Sequence, residues 1–163
     1  MNILQEAINN QFQKLYEQED RLKEFRSNNR VDDDLVWSEP RKLFKKKHGK
    51  KNFEPLGVPT STIGVYRIIY EPTGETMSIG CGSVPDRLRR HRNVFLNKGK
   101  FQSHNNSSSN SQTAFYMYQH DTHRKNWMFS WCDIGNKPLA EEVEELLIKT
   151  EKPLFNNLSM AGK

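Results

Sequence analysis

The chain has 163 residues, room for one ordinary domain of roughly 100 to 150 residues plus a short extension, and too few for two full domains. Its 25 Lys and Arg against 20 Asp and Glu give a net charge of +5, which leans toward an anionic partner, and a hydrophobic share of 34% implies a small core carrying polar loops. No apolar run approaches the ~20 residues of a membrane span, the N-terminus lacks a signal peptide's basic start and apolar centre, and Cys81 and Cys132 are too few for a disulfide scaffold. The expectation is a soluble, cytoplasmic protein with reduced thiols and no membrane contact.

In chain order, Leu4, Ile8, Phe12, Leu15, Leu22 and Phe25 recur at the spacing of one stripe on a long amphipathic helix. Such a stripe wants cover. It packs either on its own domain or on a second copy of the chain, so a homodimer through the N-terminal helix is one expectation. Asp32-Asp33-Asp34 and the Ser38-Glu39-Pro40 turn predict a hinge between about 28 and 40. A basic run follows from Arg41 to Lys51, in which Lys45, Lys46, Lys47, Lys50 and Lys51 are candidates for neutralising phosphates. A lysine-rich tail with no specific role is the plain alternative.

Thr62 to Tyr70 is rich in β-branched and aromatic residues and predicts a half-buried strand. The turn Glu71-Pro72-Thr73-Gly74-Glu75 returns it as a second strand over Thr76 to Gly80, and Pro85 opens a helix that runs to about Asn97. The Ser- and Asn-rich stretch around 103–111 reads as a loop. Beyond it the pattern predicts a helix from about Gln112 to His123, a strand over Trp127 to Ile134 and a helix from Pro138 to Thr150. The order β-β-α-α-β-α implies an α+β fold: a small three-stranded antiparallel sheet flanked by helices, preceded by the amphipathic helix. Residues 1–56 then form the helix and basic segment, for dimerisation or contact with an anionic partner, and 57–163 the main α+β domain.

Several side chains in this frame are suited to chemistry. In the helix starting near Pro85, Leu88 and Phe95 form the buried stripe, with Arg87 and His91 together on its flank, while Arg89 and Arg90 point elsewhere and meet solvent or phosphate. In the last helix Val143, Leu146, Leu147 and Thr150 face inward, Glu141 and Glu145 fall on the far side, and Glu142 and Glu144 border the stripe. One of these two is a candidate ligand for a divalent cation, since Mg²⁺ is commonly held through one or two carboxylates. His120 and His123 have the spacing of a metal pair but lack further strong ligands, so a polar helix end is the better reading. Trp127, Phe129 and Trp131 alternate along their strand, and packing explains them better than base stacking.

These residues together resemble the GIY-YIG nucleases. Gly64-Val65-Tyr66 is similar to the first motif, Ser78-Ile79-Gly80 to the second with its tyrosine replaced, and Arg87 with His91 to the Arg-x-x-x-His helix. Glu144-Glu145-Leu146-Leu147-Ile148-Lys149 with Pro153-Leu154-Phe155-Asn156 is similar to the glutamate and Pro-x-x-Asn elements of the excision-repair branch. The resemblance covers about residues 62 to 156. It rests on four elements in order, each unspecific alone, and it selects Glu144 over Glu142.

The resemblance implies a metal-dependent endonuclease that hydrolyses phosphodiester bonds in double-stranded DNA, nicking as a monomer or cutting both strands as a dimer. It implies Tyr66 as general base, Arg87 on the phosphorus oxygens, His91 in proton handling or phosphate binding, Glu144 holding Mg²⁺ or Mn²⁺, Asn156 as a structural support and His104 as a further histidine. Lys45, Lys46, Lys47, Lys50, Lys51, Arg89 and Arg90 supply DNA contacts. Ser78 stands where the family presents a phenol, and the link from Gly80 to Arg87 is slightly short. Tyr70, Tyr116 and Tyr118 are candidates for a replacement hydroxyl, and Ser78 itself for ordering a water. The alternatives are a DNA-binding protein that kept the fold and lost catalysis, and an adaptor whose N-terminal helix recruits another protein.

Overall fold

A computed structural model of the chain describes residues 2–15, 35–46, 55–99 and 112–161, without the side chains of 14–15 and 159–161. Strand β1 (Arg41–Lys42), β2 (Ile63–Tyr70), β3 (Glu75–Ser83) and β4 (Trp127–Asp133) form one antiparallel sheet in the order β1-β4-β2-β3. The fold is α+β as expected, but the sheet has four strands rather than three. The added strand lies in the basic segment. It has no alternation of its own and is held by backbone pairing: Ser38 N–H donates to Trp131 O at 2.8 Å and Leu43 N–H to Trp127 O at 3.1 Å.

The central strand β2 is buried on both faces, which is why its sequence is a nearly continuous apolar run. Tyr66 and Ile68 point to one face, with Trp127 and Phe129 of β4 beside them. Helices α2 (Val84–Leu96), α3 (Gln112–His120) and α5 (Leu154–Ala161) cover that face through Leu88, Phe95, Ala114, Met117 and Phe155. Val65, Ile79 and Cys132 point to the other face, where α1 (Ile3–Leu15) and α4 (Lys137–Glu151) pack through Leu4, Ala7, Ile8, Leu139, Val143 and Leu147.

Local chemistry sets the ends of these elements. Pro85 occupies the first turn of α2, where a missing N–H costs nothing, and the Ser83 hydroxyl donates to Asp86 at 3.0 Å. Asn136 caps α4 by accepting from Leu139 N–H at 3.0 Å. Helix α3 stops at His120, short of the expected His123, because the Asp121 carboxylate turns back to accept from His123 N–H at 2.8 Å.

The described part of α1 lays its apolar face on α4 of the same chain. Buried Gln11 adds a polar tie, with Nε2 donating to Glu142 Oε1 and to Pro138 O, each at 3.3 Å. Leu22, Phe25 and most of the expected hinge lie outside the described residues, as does the loop at 103–111. Among the described residues no helix is long and apolar enough to cross a membrane.

Candidate active site

Tyr66 projects from the middle of β2, only 4% exposed, and its hydroxyl lies 2.7 Å from Nε2 of His91, itself 6% exposed on α2. Two glycines allow close approaches around this pair. Gly64 lets β2 close on β4, since a Cβ there would sit 2.0 Å from Cys132 O. Gly80, the cross-strand partner of Tyr66, lets the phenol lie over β3, since a Cβ there would sit 2.2 Å from Tyr66 Oη. Thus the Gly of each motif is required by a close approach, one to backbone and one to the phenol itself.

Arg87 reaches the same place from the first turns of α2. Gly82, at φ +118°, has no Cβ, and Arg87 Nε lies 3.5 Å from where one would stand. Because β3 is an edge strand and carries glycine at 80 and 82, little bulk separates the two faces there. Glu144, half-buried on α4, hydrogen-bonds to Cys81 of β3 and is close enough to act on Arg87 and Tyr66, although its helix packs on the opposite face.

The electrostatics tie these groups together. Burial raises the Tyr66 phenol well above its ordinary range, Arg87 opposes this, Glu144 and Cys81 add to it, and Arg90 opposes it. Burial lowers His91 to about 3, with Arg87 and Arg90 pushing the same way. Burial also raises Glu144, against a hydrogen bond from Cys81 and the charge of Arg87. The Cys81 thiol is pushed up to about 12 by burial first and then by Glu144. Tyr66 and His91 are therefore a neutral, hydrogen-bonded pair at pH 7 that feels the guanidinium groups of Arg87 and Arg90, with the Glu144 carboxylate acting on the phenol.

The structure separates the two border glutamates of α4. Glu142 is 6% exposed and faces α1, accepting from Gln11 and, at 3.5 Å, from Asn10 Nδ2. Glu144 faces the site. Asn156, at the start of α5, grips the backbone of Ile79 from both sides: Oδ1 accepts from Ile79 N–H at 2.8 Å and Nδ2 donates to Ile79 O at 3.0 Å. It holds β3 between Ser78 and Gly80 and thereby the strand under Tyr66.

Other expected residues are not brought to this centre. Ser78 is 2% exposed and its hydroxyl pairs with Thr113 Oγ1 at 3.2 Å. The Tyr70 hydroxyl donates to Asp121 at 2.6 Å, Tyr116 stacks on Phe155 and Tyr118 meets Phe95 edge-on. Arg89 forms a salt bridge to Asp86 on the surface. Lys45 and Lys46 follow β1 and are exposed, while Lys47, Lys50, Lys51 and His104 lie outside the described residues. His120 and His123 do not form a metal pair: His120 packs against Tyr70 and Trp127, and His123 Nδ1 lies 2.8 Å from Asp121. Among the described residues no group of three or more His, Cys, Asp and Glu side chains is arranged to hold a metal ion.

One residue near the site, Cys81, escaped the sequence reading, and Arg90, expected among the DNA contacts and pointing away from Arg87, is half-buried and close enough to act on Tyr66 and His91. Its spacing of three from Arg87 was the available signal. Cys81 acts on Tyr66 and Glu144, and the alternation of β3 with Ile79 already set it toward α4. Comparison with protein-family models, curated proteins and solved structures returns no match.

Proposed function

We propose that the chain is a metal-dependent DNA endonuclease of the GIY-YIG type, hydrolysing phosphodiester bonds in double-stranded DNA. The observation that carries this reading is the buried Tyr66–His91 pair at 2.7 Å, with Arg87 and Glu144 both close enough to act on the phenol.

A phenol held protonated by burial is a poor base alone. Its hydrogen bond to His91 Nε2 fixes the phenol in place. The charges of Arg87 and Arg90, which act against burial on Tyr66, favour the phenolate that, once its own proton has passed to solvent, takes one from the attacking water. The oxygen–phosphorus bond forms as the bond to the departing 3′ oxygen breaks in line. Arg87, with five N–H donors in a planar fork, neutralises the charge that grows on the phosphorus oxygens.

Glu144 would be the residue that holds the metal ion, offering one half-buried carboxylate to a cation that keeps most of its water. Bound there, Mg²⁺ or Mn²⁺ supplies Lewis acidity toward the phosphate and the leaving oxygen. Arg89, Arg90 and the basic run that includes Lys45 and Lys46 contribute phosphate contacts without sequence preference. One site cuts one strand, so a monomer nicks. A double-strand break needs a second copy, and the described part of α1 is not what such a dimer would bury, since its apolar face lies on α4.

The second reading is a DNA-binding protein without catalysis. It is favoured by Ser78, which supplies no phenol and is engaged with Thr113. The two readings part in one assay. With Mg²⁺ the protein should nick supercoiled plasmid, and Tyr66→Phe, Arg87→Ala and Glu144→Ala should each slow nicking by about 10²-fold or more. Wild-type protein that binds plasmid and leaves it intact in both Mg²⁺ and Mn²⁺ defeats the endonuclease reading.

A further inference from the structure

The aromatic residues that alternate along β4 do not share one fate. Trp127 and Phe129 are fully buried, as core residues should be, but Trp131 is only half-buried. It is the direct cross-strand partner of Tyr66, so its ring stands beside the phenol on the same face of the sheet. The Arg41 guanidinium lies over that ring, 5.1 Å from its centroid.

Arg41 is exposed, yet it is not a loose surface arginine. Its Nη1 donates to Gly57 O at 3.2 Å, and Gly57, at φ +77°, is what admits it: a Cβ there would come 2.0 Å from Nη1. An aromatic face below and a backbone carbonyl beside it fix the fork in place and leave further N–H donors for an anion. Strands β1 and β2 flank β4, so Arg41 springs from about 10 Å to one side of the Tyr66 strand, at ordinary strand spacing. Arg87 sits on the other side of Tyr66, over Gly82 of β3. The three follow one another across the sheet: guanidinium, phenol, guanidinium.

We propose that Arg41, seated on Trp131, binds a DNA backbone phosphate neighbouring the one that lies over Tyr66, and so registers the strand across this face of the sheet. The proposal rests on the DNA reading above, but not on cleavage. Trp131 acts as a positioning residue for Arg41.

The test measures binding of the full-length protein to a short labelled DNA duplex in EDTA over a series of salt concentrations, with plasmid nicking in Mg²⁺ measured in parallel. Arg41→Gln should weaken binding and lower the slope of log K against log salt by about 0.9, the loss of one phosphate contact. Arg41→Lys should keep the slope and still bind more weakly, because an ammonium cannot lie flat on the indole. Trp131→Leu should weaken binding in the wild type and add nothing in the Arg41→Gln background. Wild-type slope and affinity in both Arg41 variants overturn the proposal even if the protein nicks, as does failure of the wild type to bind DNA. An Arg41-dependent slope in a protein that never nicks upholds it while the endonuclease reading falls.

Discussion

At position 80 the absence of a side chain is what seats the Tyr66 phenol. The Tyr66 phenol occupies the space a Cβ would need, with Oη 2.2 Å and Cζ 2.3 Å from it. Gly80→Ala must therefore push the ring off β3 and away from His91, which breaks the 2.7 Å pair. Overpacking of this kind costs about 1–3 kcal/mol. Gly64→Ala meets something less forgiving, the Cys132 carbonyl at 2.0 Å, and can be relieved only by parting β2 from β4. The expected outcome is that Gly80→Ala folds with a modestly lowered melting temperature and nicks at least 10-fold more slowly, while Gly64→Ala is the more destabilised in thermal melts. Equal nicking by Gly80→Ala and wild type would show that the phenol's seat on β3 is dispensable.

Helix α4 serves two partners through neighbouring glutamates. Periodicity alone set Glu142 and Glu144 on opposite borders of one apolar stripe, so it could not tell which faced a cleft; that depends on which helix lies against each border. Glu142 meets Gln11 of α1, and Glu144 meets the edge of β3. Glu142→Ala should lower stability by about 1–2 kcal/mol, because Gln11 is left buried without that acceptor, and leave nicking unchanged. Glu144→Ala should do the reverse, since burial already disfavours its charge: stability unchanged or raised, nicking abolished. Denaturant melts beside the plasmid assay check both, and parallel losses in the two variants would contradict the division. The same limit explains what else a sequence reader can see. Strands β2 and β4 and helices α2 and α4 announce themselves because burial imposes a period on their side chains, and Arg87 and His91 follow from that period. Strand β1 is held by backbone bonds to β4, which leave no mark on a run of basic residues. Asn156 grips another strand's backbone, and His91 finds Tyr66 only once α2 lies on the sheet.

For the molecule as a whole, burying neutral titratable groups confines stability to a window of pH. His91 is lowered from an ordinary 6.5 to about 3, so between those values the unfolded chain binds a proton the folded one refuses. Stability from this source is complete above 6.5 and falls with pH at up to about 1.4 kcal/mol per unit until about 3. Below 3.8 a second loss joins it. Burial raises Asp121, but hydrogen bonds from Tyr70, His123 and Asn126 outweigh this and hold its carboxylate below the usual range, so protonation there removes stability. Glu144, raised from 4.5, has the opposite sign, and its protonation as pH falls offsets part of the His91 loss near that value. On the alkaline side Cys81, raised from 9.0 to about 12, and Tyr66, raised from 10.0, are both protonated when folded; stability declines as pH rises past 9, where the unfolded chain begins to release protons. The expected profile is a plateau between about 6.5 and 9 with a shoulder on both sides. Melting temperature against pH checks it, with His91→Gln as the diagnostic variant: less stable at pH 7 through the lost Tyr66 contact, but with a flatter slope between pH 6 and 5. An acid slope in that interval as steep as the wild type's would mean that another group, not the imidazole behind Tyr66, sets the lower limit.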